Sequence, residues 1–385
     1  MERSKAIDVL RSLALFLVCF GRHLGPYPED HSSHLGLLLH KATVALARGG
    51  WIGVDLFFVL SGFLVSGLLF REHQMTGRIS GGRFLIRRGL KIYPAFWLLI
   101  LMTVTLVGEK VTLRGTINEL VFIQNYSPGL WGHTWSLAVE EHFYILLIVL
   151  FLFLSRGLYS ASPFRIIPAL FAVLAVVSLI ARLRAPTRFF EHLFPSHLRM
   201  DSLFFGVVIS YFYHYHGDRF TSIAKSYRWV FIGLGLLAFL PAFIFPLETT
   251  PFIYTYGLTL FYLGGGALLV GSLGCKPSDN KAVRLFSYFG SHSYSIYLWH
   301  IAVLKWLVPL LFRTTGLPWN WFSYVTVYVS GTLVVGIAMS LLVEFPVLRI
   351  RERWYPSAGR PVRALPGVPI YPGLQHGPTA AAAAP

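Results

Sequence analysis

The sequence predicts an all-α, polytopic membrane protein with about ten transmembrane helices and both termini in the cytoplasm. Three observations carry this reading. Of 385 residues, 55% are hydrophobic and only 13% charged, with mean hydropathy +0.60, whereas a globular domain is roughly 45–50% apolar and about 25% charged. The apolar excess is arranged in runs near the ~20 residues that a bilayer requires. Most loop cations also fall on alternate loops. The formal charge of +16 therefore reads as cytoplasmic loops facing anionic headgroups. Nucleic acid is not an expected partner, because no basic stripe is interleaved with aromatics on a soluble face.

The runs are 7–24, 51–70, 84–107, 135–154, 166–183, 203–215, 229–245, 252–273, 294–312 and 323–345. The first carries Asp8 and Arg11 in its leading turn with no small-residue cleavage site behind it, so it reads as a span, not a signal peptide. The sixth is the shortest. An even number of spans puts both termini on one side. Arg3, Lys5, Arg71, Arg78, Arg83, Arg87, Arg88, Lys91, Lys281, Arg284, Arg349, Arg351 and Arg353 share that side, and fewer cations, including Lys41, Arg48, Arg114, Arg182, Arg199 and Arg313, fall opposite. The richer side is the cytoplasm. Residues 1–355 read as one transmembrane domain in a cell membrane, and 356–385 as a disordered Pro/Gly/Ala-rich cytoplasmic tail.

The longest external loops, 25–50 and 108–134, leave no room for a soluble catalytic domain. Cys19 and Cys275 lie at different depths and make no disulfide framework. Asp30, His31, His34 and His40 are spaced too loosely for a closed metal site, so no metal is expected. No Gly-x-Ser-x-Gly nucleophile elbow occurs.

Chemistry must then come from polar residues inside the spans. Each ionisable one costs roughly 2.5–3.5 kcal/mol on insertion. Asp8 and Arg11 are three apart and can pair on one face. His23 lies about 18 Å further along the axis at 1.5 Å per residue, so one helix carries a fixed cation at its inner mouth and a titratable base toward the outer one. Asp55 opens the second run as a cap or substrate contact. Ser61 and Gly62, before Phe63, suit close helix packing or approach to a ligand. Arg87, Arg88 and Lys91 form a basic cluster that sets topology and offers planar forks to phosphates. Glu140 and Glu141 point about 100° apart and need different partners, amid Trp131, Trp135 and Tyr144. His300 and Glu344 are further intramembrane polar groups.

These segments resemble the acyltransferase 3 family of integral membrane acyltransferases, which O-acylate cell-surface carbohydrates. The resemblance rests on Ile7-Asp-Val-Leu-Arg11-Ser-Leu-Ala, Gly53-Val-Asp-Leu-Phe-Phe-Val-Leu-Ser-Gly-Phe63, Arg87-Arg-Gly-Leu-Lys-Ile-Tyr-Pro94 and Trp135-Ser-Leu-Ala-Val-Glu-Glu-His-Phe-Tyr144. Arg199-Met-Asp-Ser-Leu, Ser293-Tyr-Ser-Ile-Tyr-Leu-Trp-His300 and Glu344-Phe-Pro346 continue it in order along nearly the whole chain. It implies a cytoplasmic acyl-CoA co-substrate, acetyl-CoA by family frequency, with no permanently bound cofactor, and a carbohydrate or glycoside acceptor. By the same resemblance Arg11, His23 and Glu140 or Glu141 are catalytic. Ser61, Gly62, Phe63, Arg87, Arg88 and Lys91 serve the donor. Asp55, Trp135 and His300 are the expected substrate contacts.

Two departures stand out. The family's first-span Arg and His are separated by ten residues, whereas eleven separate Arg11 from His23, and Arg22 occupies the usual site. On an α-helix, +11 nearly restores the same face and +12 lies about 120° away. His23 therefore works from a rotated face, through a local distortion, or has lost the role. The family's Arg-x-x-Arg also ends here in Lys91, without the bidentate fork. Competing readings are a glycolipid or polysaccharide flippase using the same buried charges, and a regulatory membrane protein without the catalytic histidine.

Overall fold

The computed structural model describes residues 5–29, 33–108, 111–156, 162–185, 193–275 and 280–357. Residues 358–385 of the expected tail lie outside them, as do Asp30 and His31. Every regular element described is helical. The helices are α1 (Lys5–Leu15), α2 (His34–Gly49), α3 (Gly53–Thr76), α4 (Gly81–Val107), α5 (Leu113–Leu120), α6 (Trp135–Arg156), α7 (Ile167–Arg184) and α8 (Met200–Tyr215). They continue as α9 (Gly217–Ser226), α10 (Arg228–Ile244), α11 (Tyr256–Gly274), α12 (Lys281–Ser291), α13 (Ser293–Ala302), α14 (Val308–Thr315), α15 (Trp321–Met339) and α16 (Phe345–Trp354). Three π-helical turns, Phe16–Gly21, Val303–Leu307 and Ser340–Glu344, extend α1, join α13 to α14 and join α15 to α16.

All ten apolar runs are helical, as the expected polytopic membrane class requires. Among the described residues, seven helical stretches are by length and composition sufficient to cross a membrane, and the 74° bent pair α9–α10 makes an eighth if taken as one span. The remaining two runs fall short in length. α1 with its π turn and α8 are too short to qualify alone, and α8 buries most of its surface in protein. The expected external loops also contain helix. Ser33 accepts from the Gly36 N–H at 3.3 Å to start α2, which runs through a 3-10 turn into α3. Thr112 caps α5 through the Gly115 N–H at 3.1 Å. A side-chain oxygen that satisfies an orphan amide is what each segment needs to start a helix.

Burial sorts the helices. The apolar window of the α2–α3 stretch is 78% buried, that of α7 only 17%. α3 is therefore a central post and α7 a lipid-facing wall, in keeping with apolar residues all round both. α3 packs on α8 backbone to backbone. A Cβ at Gly62 would strike the Leu203 carbonyl, and one at Gly206 the Val59 carbonyl. Gly290 of α12 abuts the Asp8 backbone in the same way, which sets α1 against α12. These approaches bring α1, α3, α4, α6 and α13 around one interior space.

Candidate active site

That space is a cavity of about 110 Å³ lined by Arg11, Ser61, Arg88, Lys91, Glu140, Tyr144, Ser136 and Tyr297, among apolar neighbours. Glu140 and Tyr144 are one turn apart on α6, and the tyrosine hydroxyl donates to Glu140 Oε2 at 2.6 Å while lying 2.8 Å from Ser61 Oγ. The Arg88 guanidinium stands 5.6 Å from the Tyr144 ring centroid and 5.9 Å from that of Phe84. Arg11 Nη1 is 3.6 Å from Asp8 Oδ1, the pairing that their spacing allows. Glu141, rotated by one residue, leaves the cavity and accepts from the Tyr93 hydroxyl at 2.9 Å. The two carboxylates thus have the separate partners that their 100° divergence requires.

His23 lies beyond the π turn that begins after Leu15. There the Arg22 N–H reaches back five residues to the Leu17 carbonyl at 3.1 Å. A π turn accommodates one extra residue inside a helix, so it absorbs the eleventh residue between Arg11 and His23. Two tyrosines one turn apart on α15 support the distorted segment. Tyr328 donates to the Cys19 carbonyl at 2.7 Å and Tyr324 to the His23 carbonyl at 2.6 Å. Arg22 turns aside to the Ala47 carbonyl at 2.9 Å and to Glu248 at 3.5 Å.

The His23 ring meets His300 at 5.3 Å between centroids, and His300 meets His133 at 5.0 Å. Two successive carbonyls of α13 hold the latter rings: His300 Nδ1 donates to Tyr297 at 2.5 Å and His133 Nε2 to Leu298 at 3.0 Å. The Tyr297 hydroxyl donates to the His133 carbonyl at 2.7 Å and lies 2.7 Å from Ser136 Oγ. Because Ser136 and Tyr297 also line the cavity, a polar track joins its cations to the histidines.

Other charges serve the scaffold. Asp55 pairs with Arg199 at 2.8 Å and Asp201 with Arg182 at 2.6 Å, all four buried. Arg199 also stacks against Phe58 at 5.5 Å and Trp135 at 5.6 Å. Phe58 lines the first cavity, and Trp135 lines a second of about 640 Å³ that also includes Gln124, Asn125, Tyr126, Trp131 and His197. Next to this second cavity, outside the spanning helices, Glu119 accepts from the Leu130 N–H at 2.9 Å and from the Thr134 hydroxyl. Burial pushes its carboxyl up to about 6 against those two bonds. At the opposite mouth Arg87 binds Glu352 at 2.7 Å, the Ser357 hydroxyl at 2.9 Å and the Tyr355 carbonyl.

A family model described as an acyltransferase domain, that of acyltransferase 3, matches residues 4–341. The chain belongs to the acyltransferase 3 family. It is 26% identical over 370 residues to a Staphylococcus aureus (strain COL) protein provisionally named an O-acetyltransferase, covering 88% of this chain and 57% of that one. It is 27% identical over 332 residues to a Bacillus subtilis protein provisionally named a peptidoglycan O-acetyltransferase (78% and 51% coverage). It is 25% identical over 341 residues to the peptidoglycan O-acetyltransferase of Listeria monocytogenes (81% and 54%). The chain thus spans about half the length of the curated relatives it matches. No solved structure matches.

Set against the residues that the resemblance pointed to, this acyltransferase 3 chain gathers Arg11, Ser61, Arg88, Lys91 and Glu140 at one cavity and His23 with His300 at the other end of the track. Gly62 is a packing residue, and Phe63 packs edge-on to Tyr213 at 5.7 Å, away from the cavity. Asp55 faces Arg199, and Trp135 faces the second cavity. Arg87 stands at the mouth in the hold of Glu352. Sequence reading passed over His133, Tyr297 and Glu352. The first two lie in or beside the quoted motifs, one turn from residues that were singled out, whereas nothing in sequence joins Glu352 to Arg87.

Proposed function

We propose that this multi-pass membrane protein transfers an acyl group, acetyl by the names of its relatives, from acyl-CoA to a hydroxyl of a cell-envelope carbohydrate, with peptidoglycan sugars the first candidates. One observation carries the reading: a cavity lined by three cations is joined by a polar track through Tyr297 to a histidine cluster, with the Tyr297 and His300 rings 5.5 Å apart. The phosphates of the donor suit Arg11, Arg88 and Lys91, with Arg87 available at the mouth by exchange with Glu352. Ser61, held by Tyr144, sits where the thioester would enter. The second cavity, rich in aromatic faces and amides and within the ~300–1,000 Å³ of ligand sites, suits a sugar acceptor.

Either His23 takes the proton of the acceptor hydroxyl while its oxygen attacks the thioester carbon, or it carries the acyl group first as an acyl-imidazole. In both routes the carbon–sulfur bond breaks, the CoA sulfur leaves with a proton as the free thiol, and an ester remains on the acceptor. Purified protein in nanodiscs, given radiolabelled acetyl-CoA and muropeptides, should release free CoA and leave a base-labile label on the sugar. His23→Ala should lower both at least 100-fold in a folded protein, and full activity would remove His23 from the mechanism. Movement of a glycolipid across the bilayer with no CoA release would establish the flippase reading instead.

A further inference from the structure

We propose that His300 is the positioning partner of His23: its Nε2 receives one N–H of the His23 ring, leaving the other His23 nitrogen as base or nucleophile. The inference rests on the acyl-transfer reading and adds to it the device that orients the histidine. Three observations support it.

The first is tautomeric. His300 is fully buried, and its Nδ1 proton is committed to the Tyr297 carbonyl. A neutral imidazole then has only a lone pair at Nε2. That nitrogen is buried without a protein partner, a costly state unless a donor arrives. The second concerns His133. Its Nε2 proton goes to Leu298, so its bare, buried Nδ1 can offer His300 no proton. Among the described residues, the rings in contact with His300 are His133, Tyr297 and His23, and of these His23 alone has ring protons that are not already committed.

The third observation is proximity. The His23 and His300 centroids are 5.3 Å apart, within reach of an N–H···N bond of about 2.9 Å, and His300 Nε2 has no other partner among the described residues to satisfy it. No carboxylate among the described residues bonds any of the three rings, so the orienting task that an acid performs in a Ser-His-Asp triad falls to a neutral ring nitrogen. When His23 becomes imidazolium it carries two N–H donors, one toward His300 and one toward the departing sulfur. In the acyl-carrier route, the N–H held by His300 leaves the other nitrogen free to attack.

The charged and titratable groups around the cluster are Arg22, directed to Glu248, Lys305, whose ammonium lies 5.1 Å over the Trp131 ring, and the Tyr297 and Tyr324 hydroxyls. None of these is an acceptor aimed at the His23 ring.

The test combines kinetics with ¹⁵N-histidine NMR of the full chain in nanodiscs. The wild type should show His23 as one neutral tautomer. His300→Ala should give a mixture, lower kcat about 100-fold and leave the Kd for CoA within twofold. His300→Gln, which keeps an acceptor near the Nε2 position, should recover kcat to within tenfold of wild type. A single His23 tautomer in His300→Ala, wild-type kcat in that variant, or a folded His300→Gln no better than alanine would each overturn the pairing. If the wild type released no CoA, the acyl-transfer reading would fall, while the NMR result would still decide the pairing.

Discussion

At the residue scale, Glu119 shows how burial and hydrogen bonding oppose each other. Its carboxyl is pushed from an ordinary 4.5 to about 6 by burial, although a backbone amide and a hydroxyl favour the charged form. The folded state therefore binds this proton more tightly than the unfolded chain, so the contribution of Glu119 to stability falls as pH rises from about 4.5 to about 6. Between pH 4 and pH 7.5 the loss should be about 2 kcal/mol, read as a steeper fall in unfolding midpoint for wild type than for Glu119→Gln. The buried Asp55–Arg199 pair behaves differently, since removing one partner strands a charge. Arg199→Leu should destabilise by about 3–5 kcal/mol, and Asp55→Asn/Arg199→Leu should recover most of that loss in thermal unfolding. Asp55 was legible as an intramembrane acid that needed a reason. Its partner was not, because Arg199 is distant in sequence and meets it only through the α3–α8 contact.

At the element scale, the π turn of Phe16–Gly21 bears on the role proposed for His23. Its presence answers the spacing problem that the sequence raised. On a regular helix His23 would face away from Arg11, and one wide turn brings the phase back. Deleting Val18 should let the segment close as an ordinary α-helix with transfer activity within about tenfold of wild type. Inserting alanine after Leu17 should rotate His23 by about 100° and abolish transfer. Loss in the deletion together with retention in the insertion would refute this account. The anomaly was readable from residue counting alone. A local distortion was one of the remedies it allowed, but the choice among them was not readable, because whether a helix widens depends on outside donors for its carbonyls, here Tyr324 and Tyr328 of α15.

At the scale of the whole molecule, the two cavities and the polar track result from packing close around α3. Gly62→Ala should force α3 from α8 and lower the unfolding midpoint even though the site residues are unchanged. The charge asymmetry predicts which end faces the cytoplasm. Cys275, partly exposed beside a basic segment, should react with an impermeant maleimide only from that side, and buried Cys19 should react from neither. Labelling of Cys275 from outside intact cells would invert the topology and place the cation-lined cavity away from cytoplasmic acyl-CoA.

The sequence by itself determined the helical class, the membrane environment, the family and most of the polar residues at stake. Those follow from composition, run length and motifs, all local along the chain. It did not tell which helices lipid covers and which protein covers, because a run of apolar residues looks the same in either setting, as α8 set among other helices and the outward-facing α7 show. Only the tertiary structure decided which polar residues meet. Arg87 with Glu352, Asp55 with Arg199 and His23 with His300 are pairs separated by long stretches of chain, and their contact depends on where glycines let backbones touch and where a helix widens by one residue.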